Sequence, residues 1–324
     1  TYDEELTSEN IFSIQTDLAQ SIARALETTL SPEEVGQLAQ RTPVSMEAYD
    51  LYTRAMFVFR SSNFGGASRE AAEIMGQALE VEPEYARAHA GRAVILVRGV
   101  AQAVWTPEEV LEEARAHIDK ALELDPMMGT AYAAMGSLGE IEQDYEAAED
   151  AYLKAISVTP GNSLAQRRYA GLLYRTGRPA EALNYARSAV ETDPLSIESR
   201  ATLADILFFT ENYEESVAES LKILEMEPDN SYVHYNLGYC YAMLDRLDEA
   251  IAEFEEAWRL DGGDPYNAMG LAWAHAKAGN ESDALSIMSD VEENAAVLKE
   301  KAIIFGILGD LDMAFSYLDR AYDE

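Results

Sequence analysis

The apolar residues of this chain recur three or four positions apart, and the strict alternation that marks a half-buried strand is missing. Good helix formers, above all Ala, Glu and Leu, dominate the sequence. After a polar stretch at Thr1–Asn10, residues Ile11, Ile14, Leu18, Ile22 and Leu26 share one face of a predicted amphipathic helix. Ser31-Pro32-Glu33-Glu34 reads as a capping box that opens another short helix. Further along, a longer rhythm is laid over the helical one. Pro126, Pro160, Pro194 and Pro228 are each 34 residues apart. Ala121, Ala155 and Ala189 stand five residues before three of them, and Ala114, Ala148 and Ala182 stand twelve before. Small residues keep the same beat at Gly136, Ala170, Ala204, Gly238 and Ala272.

Such a beat predicts a pair of antiparallel helices in each period. Small residues let the two backbones approach, and larger apolar residues fill the space on either side. The proline lacks an N–H and clashes with a continuing helix, so it ends the second helix and sets the next turn. One such hairpin cannot bury its own apolar face, and stacking the next hairpin on it does so. The period and its anchors resemble the tetratricopeptide repeat (TPR). The resemblance is clearest over Ser231–Asp264, where Leu237, Gly238, Tyr241, Ala250, Phe254 and Ala257 match the signature and Gly262 replaces the proline. The expected fold is all-α: a right-handed α-solenoid of TPR helix hairpins, about eight repeats in number. Residues 1–44 are expected to form linker helices, and residues 45–128 two irregular repeats. Residues 129–264 hold four regular repeats and 265–324 two shortened ones. The irregular pair turns around Ser61–Ser68 and carries extra residues near Val100–Trp105. After these, Thr106-Pro107-Glu108-Glu109 restarts a helix. The repeat at 197–230 is degenerate, with Ser216, Ser220 and Ile223 at the usual small and aromatic positions.

Charge narrows the partners. The net charge is −35, with six lysines against eighteen arginines. Such a surface repels DNA, RNA and anionic lipid, because holding a polyanion needs cations, so neither nucleic acid nor membrane contact is expected. Cys240 is the only cysteine, which excludes an internal disulfide and a cysteine-based metal site. No run of 18 apolar residues occurs, so nothing reads as a spanning helix. None of His89, His117, His234 and His275 lies in HExxH or has metal-ligand spacing, and His234 falls at a core-facing position. No phosphate-binding glycine loop or nucleophile elbow is present. Asp261-Gly262-Gly263-Asp264 is too short for a calcium loop and reads as an inter-repeat turn. Catalytic residues, cofactor and metal are therefore all expected to be none.

Binding is the better prospect. In TPR arrays the first helices line a concave face, and positions 2, 5, 9, 12 and 13 of each repeat point there. The phase assigns to it Arg167, Tyr174, Arg175, Phe208, Phe209, Tyr232, Tyr235, Tyr239, Tyr266, Met269, Trp273 and Lys277. Trp273 and Tyr235 are expected to be the most exposed. An aromatic groove with a few cations suits a protein or peptide partner, the cations orienting an acidic or C-terminal carboxylate end. Ala133, Ser137, Ala201 and Asp205 stand where chaperone-binding TPR proteins carry a carboxylate clamp, so that role is disfavoured.

The chain as a whole resembles the C-terminal region of bacterial proteins that join a TolB-like domain to a TPR array. TYDEELTSENIFSIQTDLAQSIARAL, residues 1–26, is similar to the exit from that domain, and PVSMEAYDLYTRA, residues 43–55, to the family's first repeat. The resemblance implies a missing N-terminal half carrying an adenylate or guanylate cyclase, winged-helix or Ser/Thr kinase domain. The expected function is a non-catalytic interaction scaffold, the regulatory arm of a signalling protein. Alternatives are a part of a nucleotide cyclase and a self-association module, the latter through a homodimer of the C-terminal repeat. The expected compartment is the cytoplasm, or the periplasm if a transmembrane helix precedes residue 1.

Overall fold

The computed structural model describes residues 44–60, 66–262 and 264–323. The helix expected at Ile11–Leu26, the capping box at Ser31 and residues 61–65 of the first turn lie outside the described residues. The described residues form sixteen helices and no strand. The chain divides into two compact units, at residues 1–168 and 169–324.

The first unit contains α1 (Met46–Arg60), α2 (Gly66–Val81), α3 (Ala86–Ala101), α4 (Pro107–Leu124), α5 (Gly129–Ile141), α6 (Tyr145–Val158) and the start of α7 (Ser163–Arg175). Consecutive helices pair as hairpins α1–α2, α3–α4 and α5–α6. Each hairpin then packs on the next, α2 on α3 and α4 on α5, while the first helices α3 and α5 also touch. One core gathers Ala55, Phe59, Met75, Ala78 and Ile95; another gathers Leu96, Val97, Val110, Ile118 and Leu138. Pro107 opens α4 at its first helical position, and the Glu109 carboxylate accepts the Thr106 N–H at 2.6 Å. This is the helix restart expected from the sequence.

The second unit holds the end of α7 with α8 (Pro179–Thr192), α9 (Ile197–Phe209), α10 (Tyr213–Met226), α11 (Ser231–Met243), α12 (Leu247–Leu260), α13 (Pro265–Lys277), α14 (Glu281–Asp290), α15 (Ala295–Leu308) and α16 (Leu311–Asp323). The second helices α8, α10 and α12 pack on the following first helices, and α9, α11, α13 and α15 pack in sequence against one another. The fully buried Phe254 shows how the small residues act. A Cβ placed at Gly238 of its own hairpin would fall 2.8 Å from the ring, and one at Gly270 of the next hairpin 2.7 Å from it. In the degenerate hairpin α9–α10 a serine holds one of these small positions and adds hydrogen bonds. Ser216 donates to the Ala204 carbonyl at 2.8 Å and accepts from the Cys240 thiol at 3.3 Å.

Two backbone devices recur with the repeat. Within hairpins the first helix ends on a left-handed residue: Ala103, Gln143, Gly177, Glu211, Asp245, Gly279 and Gly309 all have φ between 55° and 85°. The next N–H then bonds back across the turn, as in Asn212 to Leu207 at 2.8 Å and Arg246 to Tyr241 at 2.9 Å, the Schellman closure of a helix end. Between hairpins, the carbonyl of each turn proline accepts from the side chain six residues later. The pairs are Pro83 with His89 (2.9 Å), Pro126 with Tyr132 (3.3 Å), Pro160 with Gln166 (2.9 Å), Pro194 with Arg200 (2.8 Å) and Pro228 with His234 (3.0 Å). Five positions with four side-chain types thus serve one purpose: satisfying a carbonyl left over where the helix stops.

Candidate ligand face

The side-by-side packing of α9, α11, α13 and α15 in the second unit brings most of the sequence-selected residues onto one face. Aromatic rings run along it in contact. Tyr174 on α7 stacks on Phe209 with centroids 5.2 Å apart, and Phe209 meets Phe208 at 5.4 Å. Phe208 reaches Tyr239 at 6.5 Å, and Tyr239 touches both Tyr235 and Trp273 at 5.0 Å. The Lys277 ammonium lies 4.9 Å over the Trp273 ring. Phe209, Tyr232 and Tyr266 are 57%, 51% and 59% exposed, more than an aromatic side chain on a packed helix needs to be.

The exposure order differs from the expected one. Trp273 and Tyr235 are half-buried, not the most open residues. Trp273 packs against Tyr239 and Phe254, and Tyr235 settles beside Phe254 and against Gly270, which has no side chain to hold it off. Met269 is a core residue, 2% exposed and packed with Ala272, Met288 and Ile304, so it offers nothing to a ligand. Arg167 stands on α7 seven residues before Tyr174, and its charge acts on Tyr152. Arg175 is exposed at the C-terminal end of α7.

The face also holds acids that the repeat phase did not single out as ligand residues. Asp205 on α9 accepts from the Tyr232 hydroxyl at 2.9 Å and from the Asn236 amide at 3.0 Å, tying α9 to α11. Burial pushes its carboxyl up to about 6, against the partial relief of the Tyr232 hydrogen bond. Glu300 on α15 is also raised by burial, and its charge raises the Tyr235 and Tyr239 hydroxyls, which burial has already pushed up. The face is thus mixed in charge and not simply cationic. The readable signal for Asp205 is the spacing of 27 residues to Tyr232, which brings an acid on one first helix beside a tyrosine on the next.

No three His, Cys, Asp or Glu side chains among the described residues converge as a metal site. His234 is a satisfied core histidine: Nδ1 meets Glu253 at 2.6 Å and Nε2 the Pro228 carbonyl at 3.0 Å. No helix among the described residues is long and apolar enough to cross a membrane.

Paired helices, small-residue contacts and repeated turns define a helical-repeat protein. Tetratricopeptide-repeat models match residues 111–161, 142–197, 173–235 and 220–252. The fold is an all-α TPR solenoid of about eight repeats, an architecture that generally serves as a protein-interaction scaffold. The chain is similar to Type IV pilus assembly protein PilF of Pseudomonas aeruginosa, 26% identical over 161 residues, which is 50% of this chain and 51% of that protein. It is also similar to "Putative adenylate cyclase 3" of Rhizobium meliloti, 33% identical over 87 residues, 27% of this chain and 15% of that protein. In fold it is similar to the crystal structure of the APC/C hetero-tetramer Cut9-Hcn1, with a TM-score of 0.59 and 17% identity over 96% of this chain and 52% of that one. The chain spans about half, or less, of the length of the curated relatives it matches.

Proposed function

We propose that this chain is a non-catalytic protein-interaction scaffold that takes a peptide or helix of another protein on the first-helix face of its second unit. The observation that carries this reading is the run of touching rings from Tyr174 to Trp273, with Phe209, Tyr232 and Tyr266 left more than half open. Rings held in place by their neighbours give up little freedom on binding, and Tyr, Trp and Arg dominate binding hot spots. As a larger setting we propose the regulatory arm of a bacterial signalling protein in the cytoplasm. That setting rests on the resemblance to TolB-like/TPR proteins and on the short match to the Rhizobium meliloti protein. A self-association role has one observation of its own: α16 presents Leu311, Phe315, Leu318 and Tyr322 outward on a single stripe.

The test is a screen of the full chain against peptide arrays, followed by titration of any peptide found against Phe209→Ala, Tyr232→Ala and Tyr266→Ala. A hot-spot ring removed costs about 2 kcal/mol or more, so affinity should drop roughly 30-fold for at least one variant that melts like the parent. Binding that survives all three changes moves the site off this face.

A further inference from the structure

The second hairpin carries a contact that its siblings replace. In α9–α10, Arg200 meets Glu219 at 2.7 Å; in α11–α12, His234 meets Glu253 at 2.6 Å. In each case a basic residue six past the turn proline faces an acid on the second helix. Counting back from Glu253 and Glu219 in steps of 34 reaches His117. Six residues past Pro83 stands His89, and the two imidazoles meet Nδ1 to Nδ1 at 2.8 Å. Where the siblings have a base and a carboxylate, this hairpin has two bases.

The neighbouring groups settle which nitrogen donates. His89 Nε2 lies 2.9 Å from the Pro83 carbonyl, which can only accept, so Nε2 carries the proton. In the neutral ring Nδ1 is then the acceptor, and His117 Nδ1–H must donate to it. We propose that the His89–His117 pair is a proton-operated latch, closed when both rings are neutral and released on mild acidification, loosening hairpin α3–α4.

The first proton, at His117 Nε2, leaves the Nδ1–H···Nδ1 bond in place but puts a charge into the buried pair; a second, at His89 Nδ1, removes the acceptor and sets two N–H groups against each other. A proton added at His117 Nε2 faces Glu113 at 3.6 Å, but that carboxylate is already held by Arg92 at 2.6 Å. The charged groups around the pair are Glu80 from α2, Arg92 from α3, and Glu113 and Lys120 from α4. Burial first, then the charges of His89 and Arg92, hold His117 down to about 4, while Glu113 opposes them. His89 is lowered too, by burial first and then by Lys120 and Arg92, against its bond to Pro83. The unfolded chain therefore binds these protons more readily than the folded one. Stability from the pair is full above the ordinary histidine value of about 6.5 and is lost as pH falls below it. A cavity of about 300 Å³, lined by Gly76, Leu79, Glu80, Arg92, Glu113 and His117, adjoins the pair and gives water access to it.

The experiment is hydrogen exchange on the full chain between about pH 7 and about pH 5, corrected for intrinsic rates, with α11–α12 as internal control. Amides of α3 and α4 should lose protection by about tenfold or more, the factor supplied when folded and unfolded states differ about tenfold in proton affinity at one ring. His117→Glu restores the sibling arrangement and should abolish the loss. His117→Gln, which donates at every pH, should flatten it as well and covers the case in which the first variant folds poorly. Imidazole NMR in the parent should show both rings titrating below the ordinary histidine value. Protection in α3–α4 that ignores pH, or that falls equally in the parent and in a folded variant, overturns the latch.

Discussion

Asp205 is the residue on the candidate face whose chemistry can be read separately from any partner. Its two hydrogen bonds do not fully compensate its burial, and its carboxyl is pushed up to about 6 from an ordinary 3.8. The folded state then holds the proton more tightly than the unfolded one, so stability falls as pH rises from about 4 to about 6. Asp205→Asn keeps an acceptor for Tyr232 and removes the charge. It should raise unfolding free energy near pH 7.5 by about 1–2 kcal/mol, within the roughly 3 kcal/mol that a hundredfold change in proton affinity allows. It should also flatten that part of the pH profile in urea titrations; a variant less stable than the parent at neutral pH would show that the carboxylate is well satisfied as it stands. At this scale the sequence was only partly legible. The 34-residue phase assigns residues to a helix face, but whether a ring there stands up or sinks depends on its neighbours. Gly270 lets Tyr235 settle inward, and Met269 falls into the core beside Met288. The inward position of Gly238 could be read, because a small residue on the common beat has the single physical reason found at Phe254.

At the scale of elements the prolines and alanines announced the hairpins, whereas the turn inside each hairpin was silent. Gln143, Gly177, Glu211, Asp245 and Gly279 hold the same left-handed place 34 residues apart, yet only two of the five are glycine. Backbone bonds such as Asp144 to Gly139 and Asn280 to His275, both 2.9 Å, close the turn whatever the side chain, so no single residue type marks it. Energy does. A left-handed backbone costs an L-residue roughly 1–2 kcal/mol, and glycine almost nothing, although glycine also loosens the unfolded chain. Glu211, at φ 63°, should therefore gain from Glu211→Gly, by about 0.5–1 kcal/mol in the midpoint of thermal or urea unfolding. Gly279→Ala, at φ 79°, should lose about as much. If both substitutions shift stability in the same direction, the turn is not the source of strain.

For the molecule as a whole, the question is how each hairpin's stacking surface is covered. The residue nine past each of the left-handed turns spaced 34 apart marks that surface: Tyr152, Ala186, Ser220, Phe254 and Met288 are all buried. Leu318, nine past Gly309, is 45% exposed, and Leu311, Phe315 and Tyr322 lie along the same side of α16. The last described hairpin therefore carries the repeat's apolar stacking positions without a following hairpin among the described residues. An apolar stripe of this kind can be covered by a second copy or by a further segment of the chain. Four large side chains offer on the order of a few hundred Å², well under the roughly 800 Å² per partner of a standard stable interface, so the expected contact between copies is weak and reversible. Charge opposes it, because each copy carries a net charge of −35. Salt screens that repulsion while leaving apolar burial intact. Sedimentation velocity over a concentration series should show a rapidly exchanging dimer that strengthens as salt is raised. The double change Phe315→Glu and Leu318→Glu should return the chain to monomer without lowering its melting temperature, since both side chains are largely outside the core. A parent that stays monomeric at high concentration and high salt would sink the self-association reading, and a dimer that weakens with salt would place the contact on charged surfaces away from α16.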